Sequence, residues 1–136
     1  MNKIAHIGIA VSSLDETIPF YRDSLGLSFE GIEEVPSEHV RVAFFKIGES
    51  AIELLEPLNE ESAIAKYIKK KGEGIHHIAL DVDNIQERLN HLKEQGIPLI
   101  HEQPKTGAHN SQVAFLHPKA AQGVLYELCE QEQEDH

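Results

Sequence analysis

Two histidines and two glutamates recur at matched positions along this chain: His6 with His77, and Glu53 with Glu127. An offset of 71 residues lays His6-Ile7-Gly8-Ile9-Ala10-Val11 on His77-Ile78-Ala79-Leu80-Asp81-Val82, and Val42-Ala43-Phe44-Phe45 on Val113-Ala114-Phe115-Leu116. After three extra residues, Ile52-Glu53-Leu54-Leu55-Glu56 meets Tyr126-Glu127-Leu128-Cys129-Glu130 at an offset of 74. Self-similarity on this scale means one supersecondary unit built twice. Two such units packed about a pseudo-twofold axis bring equivalent residues towards that axis, so the four side chains can converge. Two neutral imidazoles and two carboxylates suit a divalent first-row ion, with positions left open for water or substrate. The choice among Co, Mn, Ni, Fe and Zn stays open, because all accept such ligands.

A bland reading competes at each position. A lone strand histidine is usually a hydrogen-bonded structural residue, and a lone strand glutamate usually faces water. Pairing by one repeat favours the metal, as does the strongly apolar setting of Glu53 and Glu127, where an unpaired charge is costly. His76 neighbours His77, points to the opposite face of its strand and is read as structural. Glu56 and Glu130 also repeat, but they face away from Glu53 and Glu127 and are read as surface residues. His39, His91, His101 and His136 have no partner logic.

The elements that must position these residues follow from periodicity. Residues 3–11 alternate as a strand, with Ile7, Ile9 and Val11 on one face and His6, Gly8 and Ala10 on the other. A helix follows, with Ser13 and Glu16 at capping-box spacing and an apolar stripe of Leu14, Ile18, Tyr21 and Leu25. Pro19 is tolerable only near the first turn and otherwise kinks it, and Gly26 ends it. Strands are predicted over 27–35, 40–47 and 50–56. Pro57 breaks the last of these, and Asn59 caps a connecting helix over 60–71. That helix ends in Lys69, Lys70 and Lys71 before Gly72, a placement its dipole already explains. The second copy predicts a strand over 75–82, a helix over 85–95 capped by Asn84 with Glu87, and strands over 97–102, 111–117 and 123–130. The turn-rich loop 103–110 has no counterpart in the first copy, which makes it a place to expect ligand contacts.

Bulk properties narrow the classes. The chain has 136 residues, 40% apolar and 26% charged, enough for one domain, or two half-size modules sharing a core, of ordinary globular composition. No apolar run approaches the ~18 residues of a membrane span, and the N-terminus reads as a strand and not as a signal peptide. The single cysteine, Cys129, excludes an intrachain disulfide and fits a buried thiol in a reduced, cytoplasmic setting. A formal charge of −11 argues against a nucleic-acid partner. Exposed edges of a curved sheet make a homodimer the expected assembly.

The doubled strand–helix–three-strand plan carrying His6, Glu53, His77 and Glu127 resembles the vicinal oxygen chelate superfamily, the glyoxalase/bleomycin resistance/dioxygenase group. Within it the chain is most similar to the acyl-CoA epimerases. The segments that carry this are Glu53-Leu54-Leu55-Glu56-Pro57-Leu58, Gly72-Glu73-Gly74-Ile75-His76-His77-Ile78-Ala79, Pro104-Lys105-Thr106-Gly107-Ala108-His109 and Phe115-Leu116-His117-Pro118-Lys119. The resemblance implies an α+β fold: tandem βαβββ modules forming one curved, mostly antiparallel eight-stranded sheet around a metal-binding groove. It implies a single domain over 1–136, with module one at 1–58, the connecting helix at 59–72, module two at 73–130 and an acidic tail at 131–136. It further implies interconversion of (2R)- and (2S)-methylmalonyl-CoA by α-proton transfer, the thioester and carboxylate oxygens chelating the ion. His6, His77, Glu127 and Glu53 are then metal ligands, Glu127 is also the base, and Glu53 is fourth ligand or opposing base. Lys105 and Lys119 anchor the CoA phosphates. Some epimerases of the family carry a second base, a glutamate, on the third strand. Val42 stands at that place here, which leaves Glu53 as the substitute. The rival expectations are glyoxalase I-like isomerisation of a glutathione hemithioacetal and a non-catalytic binder.

Overall fold

A computed structural model describes residues 1–132. Eight strands and three α-helices are present among them: β1 Lys3–Ala10, α1 Leu14–Pro19, β2 Ser28–Val35, β3 Val40–Ile47, β4 Ser50–Pro57, α2 Ala63–Lys71, β5 Gly74–Asp81, α3 Ile85–Glu94, β6 Lys105–Thr106, β7 Gln112–Phe115 and β8 Tyr126–Glu130. The strands run in the order β2-β3-β4-β1 in one half and β5-β8-β7-β6 in the other, the α+β architecture that the repeat implies. The chain divides into two compact units, His6–His76 and Met1–Ala5 with the residues from His77 onward. The expected acidic tail lies, from residue 133, outside the described residues.

In the first unit β2–β3 and β3–β4 are antiparallel while β4 runs parallel to β1. One face of these strands packs under α1, where Val11, Leu14, Ile18, Ala43, Phe45 and Leu54 form the core. The Ser13 hydroxyl accepts the Glu16 N–H at 3.2 Å and so starts the helix. Pro19 does not merely kink it. The six-residue α1 passes directly into a π-helical turn over Phe20–Ser24, closed by the Leu25 N–H on the Phe20 carbonyl at 2.9 Å. The wider turn adds a residue and rotates Leu25 off the apolar stripe. Leu25 is therefore 52% exposed, against expectation, whereas Tyr21 stays packed on the core.

The second unit repeats the pattern: β6–β7 and β7–β8 are antiparallel and β8 runs parallel to β5. Its core lies under α3 and comprises Val82, Ile85, Leu89, Ala114 and Leu128. The Asn84 side chain accepts the Glu87 N–H, as the spacing predicts. Truncating a fully buried residue such as Leu54 or Leu89 to alanine costs about 2–5 kcal/mol through lost contacts and the cavity left behind.

Three expectations are corrected. Residues 97–102 are not a strand. They contribute only the isolated bridge Leu99–Leu116, since Pro98 has no N–H to donate and the Ile100 and His101 amides converge on one carbonyl, that of Phe115. The edge strand is instead Lys105–Thr106, within the span predicted to be loop. The connecting helix begins at Ala63, capped by Ser62, while Asn59 closes a turn on the Glu61 N–H. Finally, Glu56 and Glu130 are not idle surface residues. Glu56 Oε2 accepts the Leu14 N–H at 2.7 Å, and Glu130 Oε1 accepts the Ile85 N–H at 2.8 Å. Each carboxylate thus occupies the first amide of the helix that covers its own unit.

Candidate metal centre

Register decides which side chains share the face that α1 leaves uncovered. In the first unit the parallel β1–β4 pair sets His6 beside Ala51, Gly8 beside Glu53 and Ala10 beside Leu55. The antiparallel β3–β4 pair adds Phe44 opposite Glu53 and Val42 opposite Leu55. Because alternate residues share a face, His6 and Glu53 lie on the side away from α1. Their side chains meet, with His6 Nδ1 at 3.0 Å from Glu53 Oε2 and exposures of only 9% and 15%. A carboxylate at that distance from Nδ1 fixes the orientation of the imidazole. Val42, on the same face, is buried and has no group that could act as acid or base.

The second unit builds the equivalent pair. Ala79 and Phe115 flank Glu127 in register, and Lys105 lies opposite Val113 on the same face at the edge strand. His77 and Glu127 are both buried, and His77 Nε2 lies 3.8 Å from Glu127 Oε1. That separation exceeds a hydrogen bond, but two donors each ~2.1 Å from one ion stand ~3–4 Å apart. The pair therefore fits a divalent cation. Phe115 stands edge-on to the His77 ring, with centroids 5.2 Å apart at 89°.

The other predicted residues fall as follows. Lys105 is half-buried on the strand face that carries Glu127. Lys119 is exposed in a short 3-10 turn, Pro118–Ala121, which starts where His117 Nδ1 accepts the Lys119 N–H at 3.1 Å. His76 packs edge-on to Tyr67, and burial pushes its pKa down to about 4. Two residues escaped the sequence reading. Phe115 was visible only as the repeat-mate of Phe44. His101 has a pKa lowered by burial and by the charge of Lys105, and its Nδ1 accepts the Phe115 N–H at 3.1 Å.

Comparison with known proteins bears on this pair of pairs. The family model described as the glyoxalase/bleomycin resistance protein/dioxygenase superfamily matches residues 5–115. A curated relative, the ethylmalonyl-CoA/methylmalonyl-CoA epimerase of Cereibacter sphaeroides, is 38% identical over 130 residues, spanning 94% of this chain and 97% of its own. A solved structure of a hypothetical protein from Bacillus halodurans is 55% identical with a TM-score of 0.95, covering 98% of this chain and 97% of that one. A methylmalonyl-CoA epimerase solved in complex with methylmalonyl-CoA and ammonium is 38% identical, with a TM-score of 0.91 over 95% of this chain and 94% of its own.

Proposed function

This chain belongs to the glyoxalase/bleomycin resistance protein/dioxygenase superfamily, and from that premise we infer that it is an epimerase interconverting (2R)- and (2S)-methylmalonyl-CoA. Its similarity to named epimerases along almost its whole length supports this assignment. The observation within the molecule that carries it is the duplicated pairing of a buried histidine with a glutamate, His6 with Glu53 and His77 with Glu127. On this reading the buried His6, His77 and Glu127 would be donors to one divalent ion, with Glu53 as fourth donor or opposing base. Such an ion supplies Lewis-acid stabilisation of the charge that develops on the thioester oxygen.

The chain's own groups then divide the proton transfer. Inversion at C2 needs a base on one face of the centre and an acid on the other. Glu127 takes the proton from one face, and Glu53 serves the opposite face, because Val42 cannot. The buried setting of Glu127 excludes water that would otherwise compete for the proton. Lys105 and Lys119 take the phosphates of the CoA moiety as point charges.

The functional unit is one domain over 1–136, its modules at 1–58 and 73–130 joined by 59–72 and followed by the tail 131–136. It works as a homodimer in the cytoplasm; the part-exposed Ile32 on edge strand β2 and the exposed Phe20 are apolar surface that a partner copy would cover. No helix among the described residues is long and apolar enough to cross a membrane.

The deciding experiment is deuterium incorporation at C2 of methylmalonyl-CoA in D2O, with protein loaded with Co2+ and with protein stripped by a chelator. Exchange in the loaded sample alone is the expected result. Turnover of a glutathione hemithioacetal in its place would move the chain to glyoxalase I-like chemistry, and ligand binding with neither activity would make it a binder.

A further inference from the structure

Strand β7 has an unusual outer neighbour at Phe115. The Phe115 N–H and C=O both turn towards the segment after α3. The carbonyl accepts the Ile100 and His101 amides at 3.0 and 3.2 Å, and the N–H donates to the His101 imidazole at Nδ1, 3.1 Å away. In a regular ladder a backbone carbonyl takes that position. The segment 97–102 does not continue as a strand, and a side chain supplies the acceptor instead. His101 thus grips both polar groups of one residue, using its own amide and its ring.

What Phe115 touches gives the grip its consequence. Its ring stands edge-on to His77 at 5.2 Å, and its backbone lies directly opposite Glu127 in the register. Since its N–H and C=O face away from β8, the Phe115–Glu127 pair is of the non-hydrogen-bonded kind, in which side chains approach most closely. The phenyl ring thus meets His77 directly, while the Phe115 backbone is the cross-strand neighbour of Glu127. The His101 ring also packs against Phe115, with centroids 5.9 Å apart.

We propose that His101 is a positioning residue: its neutral Nδ1 fixes Phe115, and Phe115 holds His77 and Glu127 in the geometry that binds the ion. This rests on the metal site described above. The role requires the lone pair on Nδ1, so the ring must be uncharged with its proton on Nε2. Burial and the neighbouring Lys105 both disfavour the charged ring, consistent with that requirement.

The test compares His101→Ala with His101→Asn, whose Oδ1 lies as many bonds from the backbone as Nδ1 does. Two readouts are taken: ring-to-ring nuclear Overhauser contacts between Phe115 and His77 in metal-free protein, and Co2+ affinity by competition with a chromophoric chelator. Support of a ligand by its surroundings is worth about 10–100-fold in affinity. His101→Ala is expected to lose the ring contacts and weaken Co2+ binding about tenfold, while His101→Asn stays within about twofold of the unaltered protein. Retention of both by His101→Ala overturns the inference. So does equal loss in both variants, which would show that the Nδ1 acceptor is not what matters. Should the unaltered protein bind no Co2+, the metal reading fails. The ring contacts, which need no ion, still decide whether His101 orients His77 through Phe115. His101→Asn keeps the comparison decisive if His101→Ala does not fold.

Discussion

Glu130, the last residue of β8, accepts the amide of Ile85, the first residue of α3, at 2.8 Å. Glu56 does the same for Leu14 at 2.7 Å and also pairs with Arg41 at 3.0 Å. The strand that carries each candidate site glutamate on one face thus anchors the covering helix from its other face. An N-terminal amide held by a carboxylate contributes about 1–2 kcal/mol. Glu130→Ala is expected to lower unfolding free energy by about that much in urea titrations, with kcat within about twofold. A change below ~0.3 kcal/mol would show the contact to be idle.

Metal content tests the repeat directly. Purified protein should hold about one divalent ion per chain, and either His6→Ala or His77→Ala should lose most of it by elemental analysis. Full retention in both variants would dismantle the proposed site.

The two glutamates are separable by kinetics. Glu127→Gln keeps a ligand oxygen but loses basicity, so it should still bind Co2+ yet lose at least ~10²-fold in rate, the usual contribution of a positioned base. Glu53→Gln should still exchange the C2 proton of one epimer while inversion fails, because only one face keeps its base. Near-normal epimerisation by Glu53→Gln would reduce Glu53 to a ligand.

Stability should fall in acid for a specific reason. His101 has a folded-state pKa below its unfolded value near 6.5, through burial and then Lys105. A group depressed in this way contributes stability above the unfolded pKa and loses it as pH falls through the folded one. Protonation also converts Nδ1 from acceptor to donor against the Phe115 N–H. Metal-free protein should therefore be level above about pH 6.5 and weaken below it. His101→Asn should shrink that acid slope without abolishing it, because His76, pushed to about 4, adds to the same limb. An unchanged slope would count against the His101 part.

The repeat made much of this legible. Offsets alone located β1 with β5, α1 with α3 and β4 with β8, and they paired His6 with His77 and Glu53 with Glu127. Ser13 and Asn84 were readable because a capping box is local. Glu56 and Glu130 were misread because their amide partners lie 42 and 45 residues away, beyond any local pattern. The π turn after Pro19 was hidden since a proline signals a disturbance without saying which. His101 carried no signal at all, having no repeat-mate histidine and a role fixed by where Phe115 happens to need an acceptor.

The unit that holds His77 and Glu127 also contains Met1–Ala5, so it is not contiguous in the chain. Asn2 donates its amide to the Asp81 carbonyl at 3.0 Å, and Ala5 packs with Ala79, Val113 and Cys129. During synthesis these first residues leave the ribosome long before their neighbours. The contiguous stretch His6–His76 is complete while β8 is still unmade, and translation at ~5–20 residues per second leaves an interval of several seconds. Over that interval Ala5 still lacks Cys129, one of the residues it packs against, and an N-terminal fusion or a chaperone would meet the nascent chain there.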